Sequence, residues 1–143
     1  MQTDDCLLCR KQRGEAAAPP GGYIYQDAHW MVCHAPVDKG PLGTLFIESR
    51  RHALDFGDFN EDECRAFGVL AHRIYAILRR MLGAQRIYQV SMMEGVPHFH
   101  AWLIPRPPDV LERGIAFLAQ DFTCTEEAAR NLAAALRGAL QAT

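Results

Sequence analysis

Polar and apolar residues alternate in several short stretches of the chain, and a period of two is typical of a β-strand with two different faces. The clearest stretch follows the turn Glu94–Pro97 and ends at Pro105. Its polar face carries His98, His100 and Trp102, and its apolar face carries Phe99, Ala101 and Leu103. Four further strands are predicted, at Tyr23–Gln26, Trp30–His34, Thr44–Glu48 and Arg86–Met92.

A second pattern, with apolar residues three and four positions apart, predicts one long helix. Asn60 and Glu63 have the spacing of a capping box at its start, and Gly83 is a typical helix end. The apolar positions between them are Phe67, Leu70, Ala71, Ile74, Ile77, Leu78 and Met81.

The last part of the chain predicts a C-terminal helix. Leucines recur at a spacing of four residues, at Leu132, Leu136 and Leu140. Thr123 and Glu126 have the spacing of a second capping box. The segment Asp109–Gln120 is ambiguous and is interpreted as a partial helix over the sheet. Together the elements predict an α+β fold, an antiparallel sheet of about five strands with one long helix and a C-terminal helix.

Length and composition narrow the class of protein. The 143 residues suit a single domain, 1–143, in which Gly14–Gly22 reads as a flexible link that ends an N-terminal segment, 1–22. A net charge of −2 argues against a basic nucleic-acid surface, and no run of 18 apolar residues could span a membrane. Met1–Asp5 is polar and acidic, unlike a signal peptide. Five cysteines, an odd number, favour a reducing compartment, so we expect a cytoplasmic protein.

The motif Cys6-x-x-Cys9 supplies half of the ligands of a tetrahedral zinc site. No second CxxC is present, so the other two ligands would come from distant positions. His52 and His98 are the candidates, because each stands at one end of a predicted strand. Such a site would attach the N-terminal segment to the sheet. Two alternatives are free thiols on a disordered tail and a redox pair, although a redox CxxC usually opens a helix after a strand.

Two imidazoles on one strand face suggest a catalytic or metal-binding role, since imidazole is a nucleophile, a general base and a metal ligand near neutral pH. A pair of hydrogen-bonded structural histidines is the alternative. The other histidines, His29, His34 and His72, are expected to be structural or exposed. Cys33 and Cys64 are interpreted as small buried residues, and Cys124 as a thiol near a helix start without a catalytic partner.

The order and spacing of these features resemble the histidine triad superfamily of nucleotide hydrolases and transferases. The resemblance extends from Cys6 to about Arg106. It rests on the N-terminal CxxC, Tyr25-Gln26-Asp27, the strand Gly43–Glu48, Arg51-His52, the long helix, and Pro97-His98-Phe99-His100 followed by Ile104-Pro105-Arg106. It implies the α+β fold, a homodimer, and a structural zinc ion held by Cys6, Cys9, His52 and His98.

The resemblance also implies a reaction on a small-molecule nucleotide. His100, the central histidine of the motif, would attack the α-phosphorus of a nucleoside phosphoester or phosphoramidate and form a nucleotidyl-histidine. Backbone N–H groups of Gly95 and Val96 and the indole N–H of Trp102 would hold the phosphate oxygens. The base and ribose would pack near the first strands, where Tyr25, Trp30 and Phe46 are available. Plain core positions are the alternative for Trp30 and Phe46.

The chain departs from the family at two places. Most hydrolase members have a third histidine where this chain has Trp102, and an indole donates one hydrogen bond but cannot accept one or become a cation. Hydrolase members often have a Gly-Gln-Ser-like turn where this chain reads Met93-Glu94-Gly95-Val96. Three functions follow: a zinc-containing hydrolase or nucleotidyl transferase, a catalytically weak or inactive nucleotide-binding module, and a zinc-stapled interaction protein without a small ligand.

Overall fold

A five-stranded antiparallel sheet organises the chain, in the strand order β1-β2-β3-β5-β4. The computed structural model describes residues 3–141, so the ends of the predicted domain, residues 1–2 and 142–143, lie outside the described residues. The strands are β1 (Tyr25–Gln26), β2 (Trp30–His34), β3 (Leu45–Ser49), β4 (Ile87–Val90) and β5 (His100–Pro105). The helices are α1 (Leu7–Gln12), α2 (Glu61–Leu82), α3 (Ile115–Leu118) and α4 (Glu126–Gln141). The predicted α+β architecture is confirmed.

The long helix begins and ends where its sequence signals predict. Asn60 Oδ1 accepts a hydrogen bond from the Glu63 backbone N–H at 2.9 Å, and the Glu63 carboxylate accepts one from the Asn60 N–H at 3.0 Å. Gly83 ends the helix with φ of 65°, a left-handed conformation that glycine adopts without a side-chain clash. The capping box and the glycine stop of α2 are therefore both confirmed.

One face of the sheet packs against α2 and α4, and the main apolar core lies between them. Members from the sheet are Val32, Leu45, Ile47, Ala101 and Leu103, and members from the helices are Phe67, Leu70, Ile74, Leu78, Ala133 and Leu136. The opposite face carries Phe46 and Glu48 of β3 beside Trp102 and His100 of β5, which are directly paired in the sheet register. This second face is the one that positions polar chemistry.

The histidine strand begins two residues later than the alternation predicts. The His98 N–H donates to the Val96 carbonyl at 2.9 Å, and the Phe99 N–H donates to the Ala53 carbonyl at 2.7 Å. β5 begins at His100, so His98 and Phe99 precede it. His98 is not a strand residue, and the predicted strand face shared by His98 and His100 is corrected.

The second half of the expected flexible link, residues 19–22, is packed. Pro19 and Pro20 are buried, and a Cβ on Gly21 would lie 2.9 Å from the Ala133 side chain of α4. Arg137 of α4 donates to the Gly21 carbonyl at 2.7 Å and holds this part against the helix. Residues 14–18 are mostly exposed, so the expectation of a flexible link is corrected for residues 19–22 alone.

Near the C-terminus one predicted detail differs and another is present as expected. The Ala128 N–H donates to Thr125 Oγ1 at 3.1 Å, so Thr125, rather than Thr123, caps the start of α4. The ambiguous segment Asp109–Gln120 contains one short helix, α3, whose Phe117 is buried and stacks on Tyr88 of β4 at 5.4 Å. A partial helix over the sheet is therefore present.

Candidate active site and metal centre

Four side chains from three separate parts of the chain meet below the start of β5. The sulfur atoms of Cys6 and Cys9 and one ring nitrogen each of His52 and His98 all lie within 4.8 Å of one another. Cys6 Sγ is 3.3 Å from His98 Nδ1, and Cys9 Sγ is 3.4 Å from His98 Nδ1 and 3.5 Å from His52 Nδ1. Zinc–sulfur and zinc–nitrogen bond lengths in a tetrahedron separate such atoms by about 3.5 Å. The donor set fits a zinc ion.

Local structure prepares this cluster. Cys6 caps α1, and its sulfur accepts from the Cys9 N–H at 3.5 Å, so one turn of helix brings the two thiols together. His98 Nε2 donates to the Ser49 carbonyl at 2.6 Å, which leaves His98 Nδ1 without a proton and facing the sulfurs. Burial lowers the pKa of His98, so the neutral imidazole that a metal needs is the favoured form.

His100 has the geometry of a nucleophile with one defined tautomer. Its Nδ1 lies 2.7 Å from the carbonyl oxygen of His98, and a carbonyl only accepts, so Nδ1 carries the proton. Nε2 then has a free lone pair. The ring is half-buried and meets the Phe46 ring edge-on at 5.7 Å.

A cleft of about 680 Å³ opens above His100. The sequence-predicted residues Phe46, Val96 and Trp102 line it together with His100, and Trp102 meets Phe46 edge-on at 4.6 Å. Side chains of α1, residues 16–20 and, in the loop after β2, Asp38 and Lys39 also line the cleft. A volume of this size accommodates a small organic ligand such as a mononucleotide.

The turn before β5 supplies unpaired backbone donors. Among the described residues, no acceptor is found for the N–H groups of Gly95 and Val96. Val96 lines the cleft, whereas Gly95 is exposed beside it, and a Cβ on Gly95 would meet nothing within 4 Å. The protein's own packing therefore does not require glycine at position 95.

Trp30 is wrong as a predicted base-contacting residue. It is 0% exposed, its indole N–H donates to the Glu63 carbonyl at 2.9 Å, and its ring packs on Phe59, Phe67 and Phe99. These contacts place it in the core, on the sheet face opposite His100. Tyr25 is also absent from the residues that line the cleft above His100.

A buried polar network on the His100 face of the sheet is not apparent from the sequence. We define it as Lys11, Gln12, Tyr23, Cys33 and Glu48. The Glu48 carboxylate accepts from Lys11 at 2.5 Å, from Tyr23 at 2.8 Å, from Gln12 at 3.3 Å and from the Cys33 thiol at 3.4 Å. Burial and the neighbouring Glu48 raise the pKa of Tyr23 and of the Cys33 thiol, so both stay protonated. Glutamate in a strand usually signals a solvent-facing position, so the sequence held no signal for this network.

The other histidines and cysteines fall outside the metal cluster. His34 is buried at the cleft, with Nδ1 2.7 Å from the Ala35 carbonyl and Nε2 accepting from the Gly43 N–H at 3.0 Å, while His72 is exposed. Cys33 is buried as expected, whereas Cys64 is only half-buried. None of the five cysteines is in a disulfide.

Comparisons with known proteins identify the fold. No family model matches the sequence, and neither does any curated protein. A zinc-bound histidine triad family protein from Mycobacterium smegmatis superimposes with a TM-score of 0.73 at 19% identity, covering 96% of this chain and 96% of that chain. This chain has the histidine triad fold. A Hit-like protein from Bartonella henselae has a TM-score of 0.72 at 14% identity, covering 97% and 99% of the two chains.

A further histidine triad structure shows the same likeness. It is described as a hypothetical histidine triad nucleotide-binding protein from Sulfolobus tokodaii, with a TM-score of 0.72 at 14% identity and coverage of 96% and 93%. At such identities the likeness establishes the histidine triad fold and leaves activity to the residues of this chain. Among the described helices, none combines the length and hydropathy needed to cross a lipid bilayer.

Proposed function

We propose that this chain is a zinc-containing nucleotide hydrolase or nucleotidyl transferase that acts on the α-phosphate of a nucleoside phosphoester or phosphoramidate. One observation carries the proposal. His100 Nδ1 donates to the His98 carbonyl at 2.7 Å, which leaves an unprotonated Nε2 in a residue that lines a cleft of about 680 Å³. A fixed tautomer is what an imidazole nucleophile needs.

The reaction has two displacements at phosphorus. The Nε2 lone pair of His100 forms a nitrogen–phosphorus bond, while the bond to the leaving oxygen or nitrogen breaks and that atom keeps the electron pair and takes a proton from solvent. Water or a second acceptor then forms a new bond to phosphorus and releases a proton to solvent, while the nitrogen–phosphorus bond breaks and returns its electron pair to His100 Nε2. The N–H groups of Gly95 and Val96 and the Trp102 indole are the proposed donors to the phosphate oxygens, with Phe46 beneath the ligand.

The zinc ion has a structural role in this proposal. Cys6, Cys9, His52 and His98 would hold it, and the zinc-bound protein from Mycobacterium smegmatis supports a metal in this fold. Bound zinc supplies a rigid cross-link between α1 and the two loops that precede α2 and β5. The residues of this chain then carry every chemical step.

The proposal also includes the organisation of the protein. We propose one domain over residues 1–143 and a homodimer by resemblance to the family, with a nucleotide as the small-molecule partner. The nucleotide-binding description of the Sulfolobus tokodaii protein supports that partner. Five free cysteines support a reducing cytoplasmic location.

A second candidate function is a nucleotide-binding module with weak or no turnover. Trp102 favours it, because an indole beside His100 cannot accept a hydrogen bond or relay a proton. In this alternative the cleft binds a mononucleotide, and the rate of phosphorus transfer stays near that in solution.

Trapping of the intermediate tests the proposal. The protein is mixed with a panel of α-phosphorus-labelled nucleoside phosphoramidates and phosphoesters, quenched in alkali and digested. We expect an acid-labile, hydroxylamine-sensitive label on the peptide that contains His100. His100→Ala should lose the label and the activity while keeping its zinc content and melting temperature. Label on another residue, or full activity in His100→Ala, contradicts the mechanism, and nucleotide binding without label supports the second candidate.

A further inference from the structure

The buried polar network contains an ion pair with a defined orientation. Glu48 is 0% exposed and does not line the cleft, whereas the Lys11 side chain is 14% exposed and does. Tyr23 and Gln12 donate to the other side of the Glu48 carboxylate and hold it in place. The pair is therefore a fixed dipole with its positive end at the cleft.

Lys11 keeps hydrogen-bonding capacity that the protein does not use. An ammonium group has three N–H donors. Among the described residues, its acceptors are Glu48 Oε2 at 2.5 Å and Cys33 Sγ at 3.2 Å. One donor is left for a ligand in the cleft. Lys11 also forms an ion pair with the buried Glu48 carboxylate, which is the contact that a cation makes.

The ammonium group is also near the nucleophile. Glu48, which binds Lys11, is the direct cross-strand partner of His100. Lys11 Nζ lies 5.4 Å from the centre of the Phe46 ring, and the His100 ring lies 5.7 Å from the same centre. Both groups therefore lie beside the Phe46 ring.

We propose that Lys11 is a ligand-binding residue whose free N–H contacts a phosphate oxygen of the nucleotide beside His100. This inference rests on the proposed function. Phe46 offers no donor and Trp102 offers one neutral donor. Two lysines line the cleft, and Lys39 is exposed, whereas Lys11 is half-buried and held in place by Glu48. A preorganised cation of this kind favours anionic groups without reorganisation.

The experiment compares nucleotides with nucleosides. Isothermal titration measures the affinity of AMP, GMP, CMP and UMP and of the four nucleosides for the zinc-loaded protein, for Lys11→Met and for Lys11→Met combined with Glu48→Gln. The double variant removes the unpaired buried carboxylate that Lys11→Met leaves behind. Arg10→Met is the matched control, because Arg10 is exposed on the same helix and does not line the cleft. Zinc content and melting temperature are recorded for each variant.

A charge-assisted hydrogen bond predicts a loss of about tenfold or more in mononucleotide affinity for both Lys11 variants. Nucleoside affinity and the Arg10→Met values should stay within about twofold. Three results would each overturn the inference. They are an equal loss of affinity for nucleotides and nucleosides, an unchanged nucleotide affinity, and a recovery of nucleotide affinity when Glu48→Gln is added to Lys11→Met. Absence of nucleotide binding in the unmodified protein would overturn the proposed function as well. Binding by the unmodified protein with no effect of Lys11 would overturn this inference alone.

Discussion

Cys9→Ser should remove the metal and lower the stability of the whole fold. Cys9 is fully buried, and its sulfur lies 3.5 Å from His52 Nδ1 and 3.4 Å from His98 Nδ1. These partners are 43 and 89 residues away in sequence, so a metal here cross-links distant parts of the unfolded chain. Closing a loop of 43 residues restricts the unfolded state by about 4 kcal/mol when zinc is treated like a disulfide cross-link.

That energy is a large share of the free energy of unfolding of a small domain, which is about 5–15 kcal/mol. For a chain of this length, each kcal/mol moves the melting temperature by about 3 °C, so Cys9→Ser should melt roughly 12 °C lower. Elemental analysis of protein purified without chelator measures the metal, and urea or thermal unfolding measures the stability. Cys6→Ser and His52→Ala should behave alike, because they remove ligands of the same ion.

Cys64→Ser is the matched control, because Cys64 is a half-buried thiol on α2 outside the cluster. It should keep the zinc and most of the stability. Two results would refute the reasoning: unmodified protein without bound metal, or a melting temperature of Cys9→Ser equal to that of Cys64→Ser. His98→Ala should also lose zinc and stability. If it abolished turnover with zinc and stability intact, the assignment of His98 as a ligand would be wrong.

Three further predictions concern the cleft and its supports. Trp102→His should raise hydrolysis of a simple adenosine phosphoramidate by about 10²-fold, since an imidazole can relay a proton; weaker binding without faster hydrolysis, measured as kcat/KM and Kd, would contradict this. Burial lowers the pKa of His34 below its ordinary 6.5. The stability that depends on a neutral His34 is therefore complete above pH 6.5 and is lost as the pH falls from 6.5 through the lowered pKa. The free energy of unfolding, measured with urea from pH 7 to 5, should therefore fall less steeply for His34→Gln than for the unmodified protein, by up to about 1.4 kcal/mol per pH unit. Equal slopes for the two proteins would exclude this role of His34. Gly43→Ala should lower the free energy of unfolding by about 1–3 kcal/mol, because the new Cβ would collide with Leu82. Gly14 has a similar φ but open space around it, so Gly14→Ala should lower the free energy of unfolding less in the same urea assay.

Local signals account for the parts of the fold that the sequence predicted well. The capping box at Asn60 and the stop at Gly83 depend on neighbouring residues only, so the limits of α2 follow from the chain itself. The metal cluster could be proposed from the CxxC spacing of Cys6 and Cys9 and from the positions of His52 and His98 at predicted strand ends. The helix α1 was not predicted, because six residues carry too little periodicity.

The failed assignments depend on which surfaces the folded chain covers. Every residue of β2 is buried, so its pattern does not show which face meets the helices, and Trp30 could be assigned to either side. Glu48 is buried because α1 and Tyr23 bring donors to it from other parts of the chain. Such a long-range arrangement cannot be predicted from the sequence of a single strand. The packing of residues 19–22 depends in the same way on Arg137, which lies far along the chain.

His98 belongs to two sites at once, through its side chain and through its backbone. Its ring is part of the metal cluster, while its carbonyl holds the proton of the His100 ring at 2.7 Å. If residue 98 rotates when the metal leaves, the His100 imidazole loses its acceptor and divides between two tautomers, only one of which leaves Nε2 unprotonated. The share of molecules with an unprotonated Nε2 then rises with the occupied fraction of the metal site. If His100 acts as the proposed nucleophile, specific activity per mole of protein would rise with zinc content from one preparation to the next.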